Sequence, residues 1–301
     1  MGITGFLRKR YTEWNLRPMD AVILAYLALI GILVVPFHRD VRNWAAVPFV
    51  HAGLCAAVVG LIRWQSSRPG PVLDFVRTFY PVLWICFAWT EMDNLVTMIF
   101  PYWANGFVVR ADLRIFGVHP TVWVERLFRP WLTELMNFFY TIYYFFIAAI
   151  AFPLYFRGKR KETFEFLFLV TFTFAVSFLL FLIFPSEGAW VILRDKHTVE
   201  PEGGLFLHFI QWVQSNGTMR GGAFPSSHVA AAFTITLAGL RYNRPMGLVI
   251  LPLAVGVALA TVYCRYHHAV DAIAGIVSGI LLYGIGRRIL RPAVRPLPGQ
   301  G

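Results

Sequence analysis

The chain has 301 residues, of which 57% are hydrophobic, 17% aromatic and only 14% charged. Soluble domains carry about a quarter charged residues, so this composition excludes an ordinary soluble domain and indicates an integral membrane protein. The net charge of +11 does not indicate nucleic-acid binding, because the basic residues form short clusters between apolar runs and not one basic face.

Eight apolar runs are each close to the roughly 20 residues that a membrane-spanning helix needs. They cover residues 19–36, 45–62, 79–100, 137–156, 163–184, 227–241, 246–264 and 269–286. The pattern predicts an all-α polytopic membrane protein with about eight transmembrane helices.

Basic clusters set the predicted orientation of these helices. They precede the first run, lie between runs two and three, four and five, and six and seven, and follow run eight. The positive-inside rule then places both termini in the cytoplasm. The two long loops, residues 101–136 and 185–226, and the turn around Tyr266 are predicted to be extracytoplasmic.

We expect one transmembrane catalytic domain, residues 19–288, between a basic cytoplasmic N-terminus, residues 1–18, and a disordered cytoplasmic tail, residues 289–301. The tail ends in the Pro- and Gly-rich segment "RPAVRPLPGQG", a composition that is typical of disorder. Within the first long loop, apolar and aromatic residues recur at helical spacing over about 110–136, which predicts an amphipathic helix in the membrane interface.

The three cysteines, Cys55, Cys86 and Cys264, show neither a metal-binding spacing nor a disulfide pattern. No other segment has the spacing of a metal or cofactor site. We therefore expect neither a metal nor a cofactor.

Two polar clusters stand at the ends of apolar runs on the predicted outer face. The first is "GGAFPSSH", which ends at His228. Its glycines let a ligand approach the backbone, and the N–H groups of a helix start form an anion site. Ser226 and Ser227 add hydroxyl donors, and His228 is placed to donate a proton to a leaving oxygen.

The second cluster is "RYHHAVD", which begins at Arg265. His267 and Asp271 are four residues apart, so on a helix they share one face and the carboxylate can hold one imidazole nitrogen. Histidines near the membrane are costly and indicate function. Together the two clusters are suited to phosphoryl transfer through a phosphohistidine intermediate.

These two segments resemble the second and third signature motifs of the type 2 phosphatidic acid phosphatase superfamily, PSGH and SR-x5-H-x3-D. The resemblance implies a six-helix phosphatase-like core with its site at the membrane surface. It also implies that His267 is the nucleophile, that Asp271 orients it and that His228 is the general acid. Ser226 and the backbone at Ser227 would bind phosphate.

The sequence departs from these motifs in three places. Ser227 stands where the superfamily has glycine, and Thr261 stands where the third motif has arginine. Arg265 is the candidate to supply that missing charge. The first motif, K-x6-RP, is absent, and the candidates to replace it are cations of the second long loop: Arg194, Lys196 and Arg220.

A second resemblance narrows the branch. The segments "RADLRIFGVHPTVW", "LTELMNFFYTIYYFF" and "GAFPSSH" are similar to the branch that includes fungal inositol phosphorylceramide synthase. That branch implies transfer of a phosphorylated headgroup between lipids and tolerates a degenerate first motif. The partners implied are membrane lipids, namely a phospholipid, a ceramide-like lipid or a polyprenyl phosphate.

Two other functions stay open at the level of sequence. The chain could be a lipid phosphatase that hydrolyses phosphatidate or a polyprenyl phosphate. It could also be a non-catalytic lipid-binding or transport protein that kept the fold.

Several polar residues lie outside the two motifs. For Glu91 and Asp93, in the third run, we favour a role in holding helices together over headgroup binding. The neighbour of the proposed nucleophile, His268, is predicted to face either substrate or another helix. The remaining histidines have no motif context and are predicted to be structural: His38, His51, His119, His197 and His208.

Overall fold

A computed structural model of the chain describes residues 15–217 and 219–293, and every regular element within these ranges is helical. The longer helices are α1 (Pro18–Leu33), α2 (Ala46–Ser67), α3 (Pro71–Leu95), α4 (Asn105–Phe116), α5 (Pro130–Ile142), α6 (Phe146–Phe156), α7 (Arg160–Ile183), α8 (Leu205–Gly217), α9 (Ser227–Tyr242), α10 (Arg244–Tyr263) and α11 (Ala269–Ala293). Short helical turns cover Pro120–Trp123 and Ala189–Ile192, and 3-10 turns cover His38–Asp40, Val124–Leu127, Tyr143–Phe145 and Arg194–Lys196.

All eight predicted apolar runs form helices, so the all-α prediction is confirmed. Six segments of the described chain are long and apolar enough to cross a membrane. They are α2, α3, the continuous rod Pro130–Phe156 formed by α5 and α6, α7, α10 and the part of α11 up to Leu290. The other two helices, α1 and α9, have 16 residues each and are shorter than a full span.

The short helix α9 occupies the centre of the bundle and packs against α7, α10 and α11. Its small residues make this possible, because Ala230 and its two following alanines have no exposed surface. On α11, Gly275 and Gly279 lie directly against α9: a Cβ on them would come within 2.7 Å of the Ser226 carbonyl oxygen and 2.5 Å of the Ala230 carbonyl oxygen. This close small-residue packing, common between membrane helices, brings the two motif segments together.

A buried group of charges joins α1 to α3. We call it the α1–α3 ion cluster, and its members are Arg17, Asp20, Asp74 and Arg77. Arg77 Nη2 donates to Asp20 Oδ2 at 2.9 Å, and both side chains are fully buried. Arg17 Nη2 donates to Asp74 Oδ1 at 2.8 Å. The opposite charges cancel, so these two arginines, which the sequence suggested as orientation signals, also hold helices together.

A second buried pair joins α2 to α3. His51 Nε2 lies 2.8 Å from Glu91 Oε1, and His51 Nδ1 donates to the Leu27 carbonyl oxygen at 2.9 Å. Asp93 accepts from the Arg220 backbone N–H at 3.1 Å and lies 3.5 Å from the Arg42 guanidinium. Both carboxylates thus tie segments together, which is the role that the sequence favoured.

The long loops contain more structure than their sequences suggest. The segment 101–136 holds α4, the turn at Pro120–Trp123 and the start of α5. The segment 185–226 holds α8, which the sequence did not predict because 13 residues are too few for a span. The N-terminus of α8 is capped from α5, since Glu134 accepts the backbone N–H groups of Gly204, Phe206 and Leu207.

The predicted chain ends fall largely outside the described ranges. Residues 1–14 and 294–301 are not described, so the basic N-terminal cluster and most of the predicted tail are not tested. At the C-terminal end, α11 continues to Ala293, which is beyond the predicted domain boundary at 288.

Candidate active site

A cavity of about 410 Å³ lies beside α9, with His228 and His267 in its wall. It is bounded by α3, by the α5–α6 rod and by the loop segments around Gly188 and Gly221. Aromatic side chains form much of the wall: Trp89, Tyr140, Tyr143, Tyr144, Trp190 and Tyr266. The structure therefore brings the two predicted histidines into the wall of one partly open, largely apolar cavity, as the motif pairing predicts.

His267 sits in the turn between α10 and α11, and both of its ring nitrogens have partners. Nδ1 lies 2.9 Å from the Ala223 carbonyl oxygen. A carbonyl can only accept, so Nδ1 carries the proton and Nε2 keeps its lone pair. Nε2 in turn lies 3.1 Å from Ser226 Oγ, which donates to it. The atom left unprotonated is thus a potential nucleophile.

The protonation of His267 follows from its surroundings. Burial lowers the pKa of His267 to about 4, and the neighbouring His268 adds to this effect, while the bond to Ala223 opposes it. Desolvation disfavours the imidazolium form. The ring is consequently neutral at physiological pH, as a nitrogen nucleophile requires.

Asp271 lies in the first turn of α11 and contacts the turn that carries His267. Its Oδ2 is 3.6 Å from His267 Nδ1, which exceeds the length of an N–H···O hydrogen bond. The same oxygen accepts the His268 backbone N–H at 2.8 Å. The proton on Nδ1 is therefore held by the Ala223 carbonyl, and the carboxyl group of Asp271 lies beside it without a hydrogen bond to the ring.

His228 occupies the first turn of α9, and its ring centroid is 6.2 Å from that of His267. Nε2 lies 3.2 Å from Tyr140 Oη. The ring packs edge-on against Trp89, with centroids 5.1 Å apart. The two rings are thus close enough for one phosphoryl group to contact both of them.

The start of α9 supplies an anion site next to these rings. Ser226 caps the helix, its Oγ accepting the Val229 N–H at 3.4 Å, and its own N–H donates to the Asp271 carbonyl oxygen at 3.0 Å. Ser227 Oγ is buried and has no partner among the described residues. A helix N-terminus with a spare hydroxyl is chemically suited to hold phosphate oxygens.

The loop before α9 is shaped by glycine. Gly222 has φ +73°, and a Cβ there would come within 2.3 Å of Met219 Cε. A side chain would be strained at this φ and would also clash. The glycine keeps the loop thin, so the backbone of Ala223 reaches His267.

Of the cations proposed to replace the first motif, the structure places one at the cavity. Arg220 lines it, with Nε 2.6 Å from Glu187 Oε1 and a side chain that is 67% exposed. Arg194 and Lys196 lie on the exposed 3-10 turn and do not line the cavity. The geometry favours Arg220 as the cation nearest the site.

Arg265 is held away from the cavity. Its Nη2 donates to Glu125 Oε1 at 2.8 Å and to the Val199 carbonyl oxygen, and the side chain is buried. Thr261, in the position of the third motif's arginine, bonds its own helix at Ala258 O. The expectation that Arg265 replaces the motif arginine thus has no geometric support, because the guanidinium is buried against Glu125 and does not line the cavity.

His268 also points away from the cavity, to a second carboxylate. Its Nδ1 lies 3.2 Å from Asp112 Oδ2, and both residues are fully buried. Asp112, from α4, also accepts the backbone N–H groups of Ala269 and Val270. The pair therefore fixes the N-terminus of α11 and, with it, the turn that bears His267. His268 was predicted to face either substrate or another helix, and the structure shows it facing another helix, α4.

Sequence reasoning did not single out Tyr140 or Trp89, although both contact His228. Tyr140 lies in "LTELMNFFYTIYYFF", which was noted only as a branch resemblance. Tyr143 and Tyr144 follow Tyr140 by three and four residues, so on a helix all three lie on one face. This spacing is the sequence pattern from which a tyrosine-lined wall could have been predicted. Trp89 lies two residues before Glu91, and no pattern in this apolar run distinguishes it from other aromatic residues of a membrane helix.

Comparison with known proteins agrees with this geometry. The profile described as the PAP2 superfamily matches residues 107–285, which is more than half of the chain and includes every predicted site residue. A PA-phosphatase related-family protein from Dictyostelium discoideum is 33% identical over 118 residues, or 37% of this chain. The matched part spans about a fifth of that relative's length, 21%. No solved structure matches the chain significantly.

Proposed function

Because the chain belongs to the PAP2 superfamily, we propose that it transfers a phosphate or a phosphorylated headgroup from a membrane lipid through a covalent intermediate on His267. The observation that carries this proposal is the state of the His267 ring. Its Nδ1 proton is committed to a carbonyl, and its bare Nε2 faces Ser226 at the end of the cavity. A neutral, oriented imidazole of this kind is an activated nucleophile.

The first step forms a bond from Nε2 of His267 to phosphorus and breaks the bond from phosphorus to the leaving oxygen. His228, which takes up a proton when the anionic donor binds beside it, gives this Nε2 proton to that oxygen and becomes neutral. In the second step an acceptor hydroxyl gives its proton back to Nε2 of His228 while its oxygen displaces His267 from phosphorus. Protons and charges balance over the cycle, with His228 first acid and then base.

The surroundings can stabilise the charges that develop. The N–H groups at the start of α9, the unpaired hydroxyl of Ser227 and the guanidinium of Arg220 are available to the phosphoryl oxygens. Asp271, 3.6 Å from Nδ1, opposes the positive charge that His267 acquires on phosphorylation. Ser226 gives up its bond to Nε2 when phosphorus binds and can then donate to phosphate.

A lipid is the substrate class that the cavity fits best. Apolar side chains of α3 line it from Trp89 through Ile85 to Val82, a distance of about 10 Å along the helix. Ile147 and Phe174 face them from α6 and α7. The cavity thus joins a polar end at the histidines to an apolar end, which suits a headgroup and its attached chain.

We place a headgroup transferase resembling inositol phosphorylceramide synthase ahead of a phosphatase. The cavity wall combines four tyrosines with two tryptophans, and such amphipathic rings can pack against a polyol while offering hydroxyl groups. The alternative is hydrolysis of phosphatidate or a polyprenyl phosphate. Arg220, at the exposed rim, leaves a route for water, and the Dictyostelium relative is named a PA-phosphatase related-family protein.

The proposed location follows the charge pattern of the sequence. The cavity lies at the end of the bundle that carries the two long loops, which the positive-inside rule puts outside the cytoplasm. Both termini would then be cytoplasmic and the reaction extracytoplasmic. Cysteine labelling from either side of intact vesicles, at Ser67→Cys and at Val199→Cys, tests this orientation.

The reaction itself is tested with the purified full chain in lipid nanodiscs. Phosphatidylinositol, phosphatidate and a polyprenyl phosphate serve as donors, each with and without ceramide or diacylglycerol, and mass spectrometry scores new lipid together with free phosphate. New headgroup lipid that depends on the acceptor supports the transferase. Phosphate release without an acceptor requirement supports the phosphatase, and turnover of none of the donors, or full turnover by His267→Gln, overturns the proposal.

A further inference from the structure

The hydroxyl of Tyr140 contacts the ring that handles protons in the proposed reaction. Tyr140 is buried on α5, its ring is stacked on that of His228 with centroids 5.4 Å apart, and its Oη lies 3.2 Å from Nε2. Nδ1 of His228 is buried without a partner among residues 15–217 and 219–293. In that part of the chain, Tyr140 is thus the hydrogen-bonding group that the structure gives to this ring.

Packing alone leaves the orientation of the His228 ring undetermined. Trp89 and Tyr143 contact it with centroids 5.1 Å and 5.3 Å away, but these contacts are similar for either ring nitrogen. The second side-chain torsion of histidine is broad and roughly two-fold. The bond to Tyr140 is what distinguishes Nε2 from Nδ1 and keeps Nε2 on the cavity side.

A hydroxyl differs from the partner that holds His267. The Ala223 carbonyl can only accept, which fixes one protonation state of that ring. The Tyr140 hydroxyl can accept from Nε2–H when His228 is imidazolium and can donate to bare Nε2 when it is neutral. A residue that alternates between acid and base needs a partner with both capacities.

We propose that Tyr140 is the positioning residue for proton transfer by His228, an inference that rests on the proposed function. The anionic phosphoryl group bound between the histidines favours the imidazolium form of His228. Tyr140 Oη and the leaving oxygen then share Nε2–H in a three-centre hydrogen bond, so that the Nε2 edge of the ring stays directed at the leaving oxygen. After the proton has moved to that oxygen, Tyr140 donates its own O–H to the bare Nε2, and it releases this bond when the acceptor returns a proton.

The leaving group provides a test that a merely structural role would not pass. An alkoxide leaving from a lipid needs its proton in the transition state, whereas 4-nitrophenolate does not. Tyr140→Phe keeps the ring and removes only the hydroxyl. Two donor pairs share a transferred group: phosphatidylinositol with 4-nitrophenyl phosphoinositol, and phosphatidate with 4-nitrophenyl phosphate.

We expect Tyr140→Phe to lower the single-turnover rate of leaving-group release from the lipid donor of the active pair by about tenfold to a hundredfold, and to change that rate for the nitrophenyl donor by less than about threefold. Tyr263→Phe is the matched control. It removes a buried hydroxyl that bonds Thr133 of the same helix α5 at 3.0 Å, away from the cavity. Both rates should be unchanged in this control.

The outcomes separate this inference from the proposed function. Equal losses on both donors of a pair, or no loss on either, overturn the positioning role of Tyr140. Wild-type protein that turns over neither pair overturns the proposed function instead. A melting temperature of Tyr140→Phe within a few degrees of that of Tyr263→Phe shows that the kinetic difference is not a loss of folded protein.

Discussion

Two buried polar clusters of this bundle differ in how their hydrogen-bonding capacity is used. In the α1–α3 ion cluster, both carboxylate oxygens of Asp20 have donors, from Tyr80 Oη at 2.7 Å and from Arg77 Nη2 at 2.9 Å. In the part of the chain that the structure describes, one side-chain atom of this cluster, Arg77 Nε, is buried without a partner, whereas three atoms around the two motif segments are: Asp271 Oδ1, Ser227 Oγ and His228 Nδ1.

This difference distinguishes a polar cluster that holds helices together from one whose hydrogen-bonding groups are available to a ligand. Buried charges persist when they are paired, as in the first cluster. Buried polar atoms without partners are rare in folded proteins and call for an explanation. Here they belong to His228, in the wall of a cavity of about 410 Å³, and to two residues close to it in the fold. A phosphoryl group bound beside His228 would offer an acceptor to the hydroxyl of Ser227. The first cluster should therefore govern stability, and the second should govern activity.

The largest expected effect is the loss of turnover on removing the nucleophile. His267→Gln should lower kcat by on the order of 10⁴-fold or more, because no other group forms the bond to phosphorus. The measurement is single-turnover consumption of the active donor, with the melting temperature recorded alongside. A melting temperature far below that of the wild type would show that His267, like the α1–α3 ion cluster, mainly stabilises the fold. That result would contradict the distinction between the two clusters.

The opposite behaviour is expected for the ion cluster. Arg77→Met leaves Asp20 buried and unpaired and should lower the free energy of unfolding by about 3–5 kcal/mol, with the activity of the folded fraction unchanged. Thermal melts and activity per folded molecule in detergent check this. The control is Lys161→Met, which removes an exposed charge from α7 and should change the free energy of unfolding by less than about 0.5 kcal/mol. The double variant Asp20→Leu with Arg77→Met should recover much of the loss.

Arg220 should show an intermediate effect on binding. Because its side chain is 67% exposed and shared with Glu187, Arg220→Gln should raise KM by about threefold to tenfold while leaving kcat near its wild-type value. Arg126→Gln, an exposed arginine of the same long-loop face, is the matched control. An unchanged KM would remove Arg220 from the phosphate site.

The smallest expected effect is that of pH on the chemical step. Since burial lowers the pKa of His267 to about 4, its nucleophilic neutral form persists as the pH falls and is lost only near pH 4. With 4-nitrophenyl phosphoinositol, whose leaving group needs no acid, the single-turnover rate of nitrophenolate release should change by less than about twofold between pH 8 and pH 5.5. An ordinary histidine would lose about tenfold at pH 5.5, and such a loss would contradict the buried, neutral state.

The sequence predicted the helices because apolar runs of span length are a local pattern. The pairing of the two motifs also predicted that His228 and His267 lie in one cavity wall. The shared helical face of His267 and Asp271 is not found, because His267 lies in the turn before α11 and its Nδ1 is 3.6 Å from Asp271 Oδ2. The contact between Ser226 and His267 depends on the close packing of α9 against α11. The glycines that permit this packing, Gly275 and Gly279, can be read from the sequence, but the helix that they contact cannot.

The partners of individual side chains were harder to predict, because they come from distant segments. Arg265 seemed free to bind phosphate, but Glu125, which is 140 residues away, neutralises it. Tyr140 reaches His228 across 88 residues. His51 had no motif context, yet it pairs with Glu91 inside the bundle. Only tertiary packing determines such contacts.

The most direct test of the central claim is to trap the covalent intermediate. Purified protein is mixed with the active donor in the absence of an acceptor, quenched in base within milliseconds and digested for mass spectrometry. The account predicts an acid-labile phosphoryl or phosphoinositol adduct on the peptide containing His267, and none in His267→Gln. An adduct on another residue, or full wild-type turnover in His267→Gln, would contradict it.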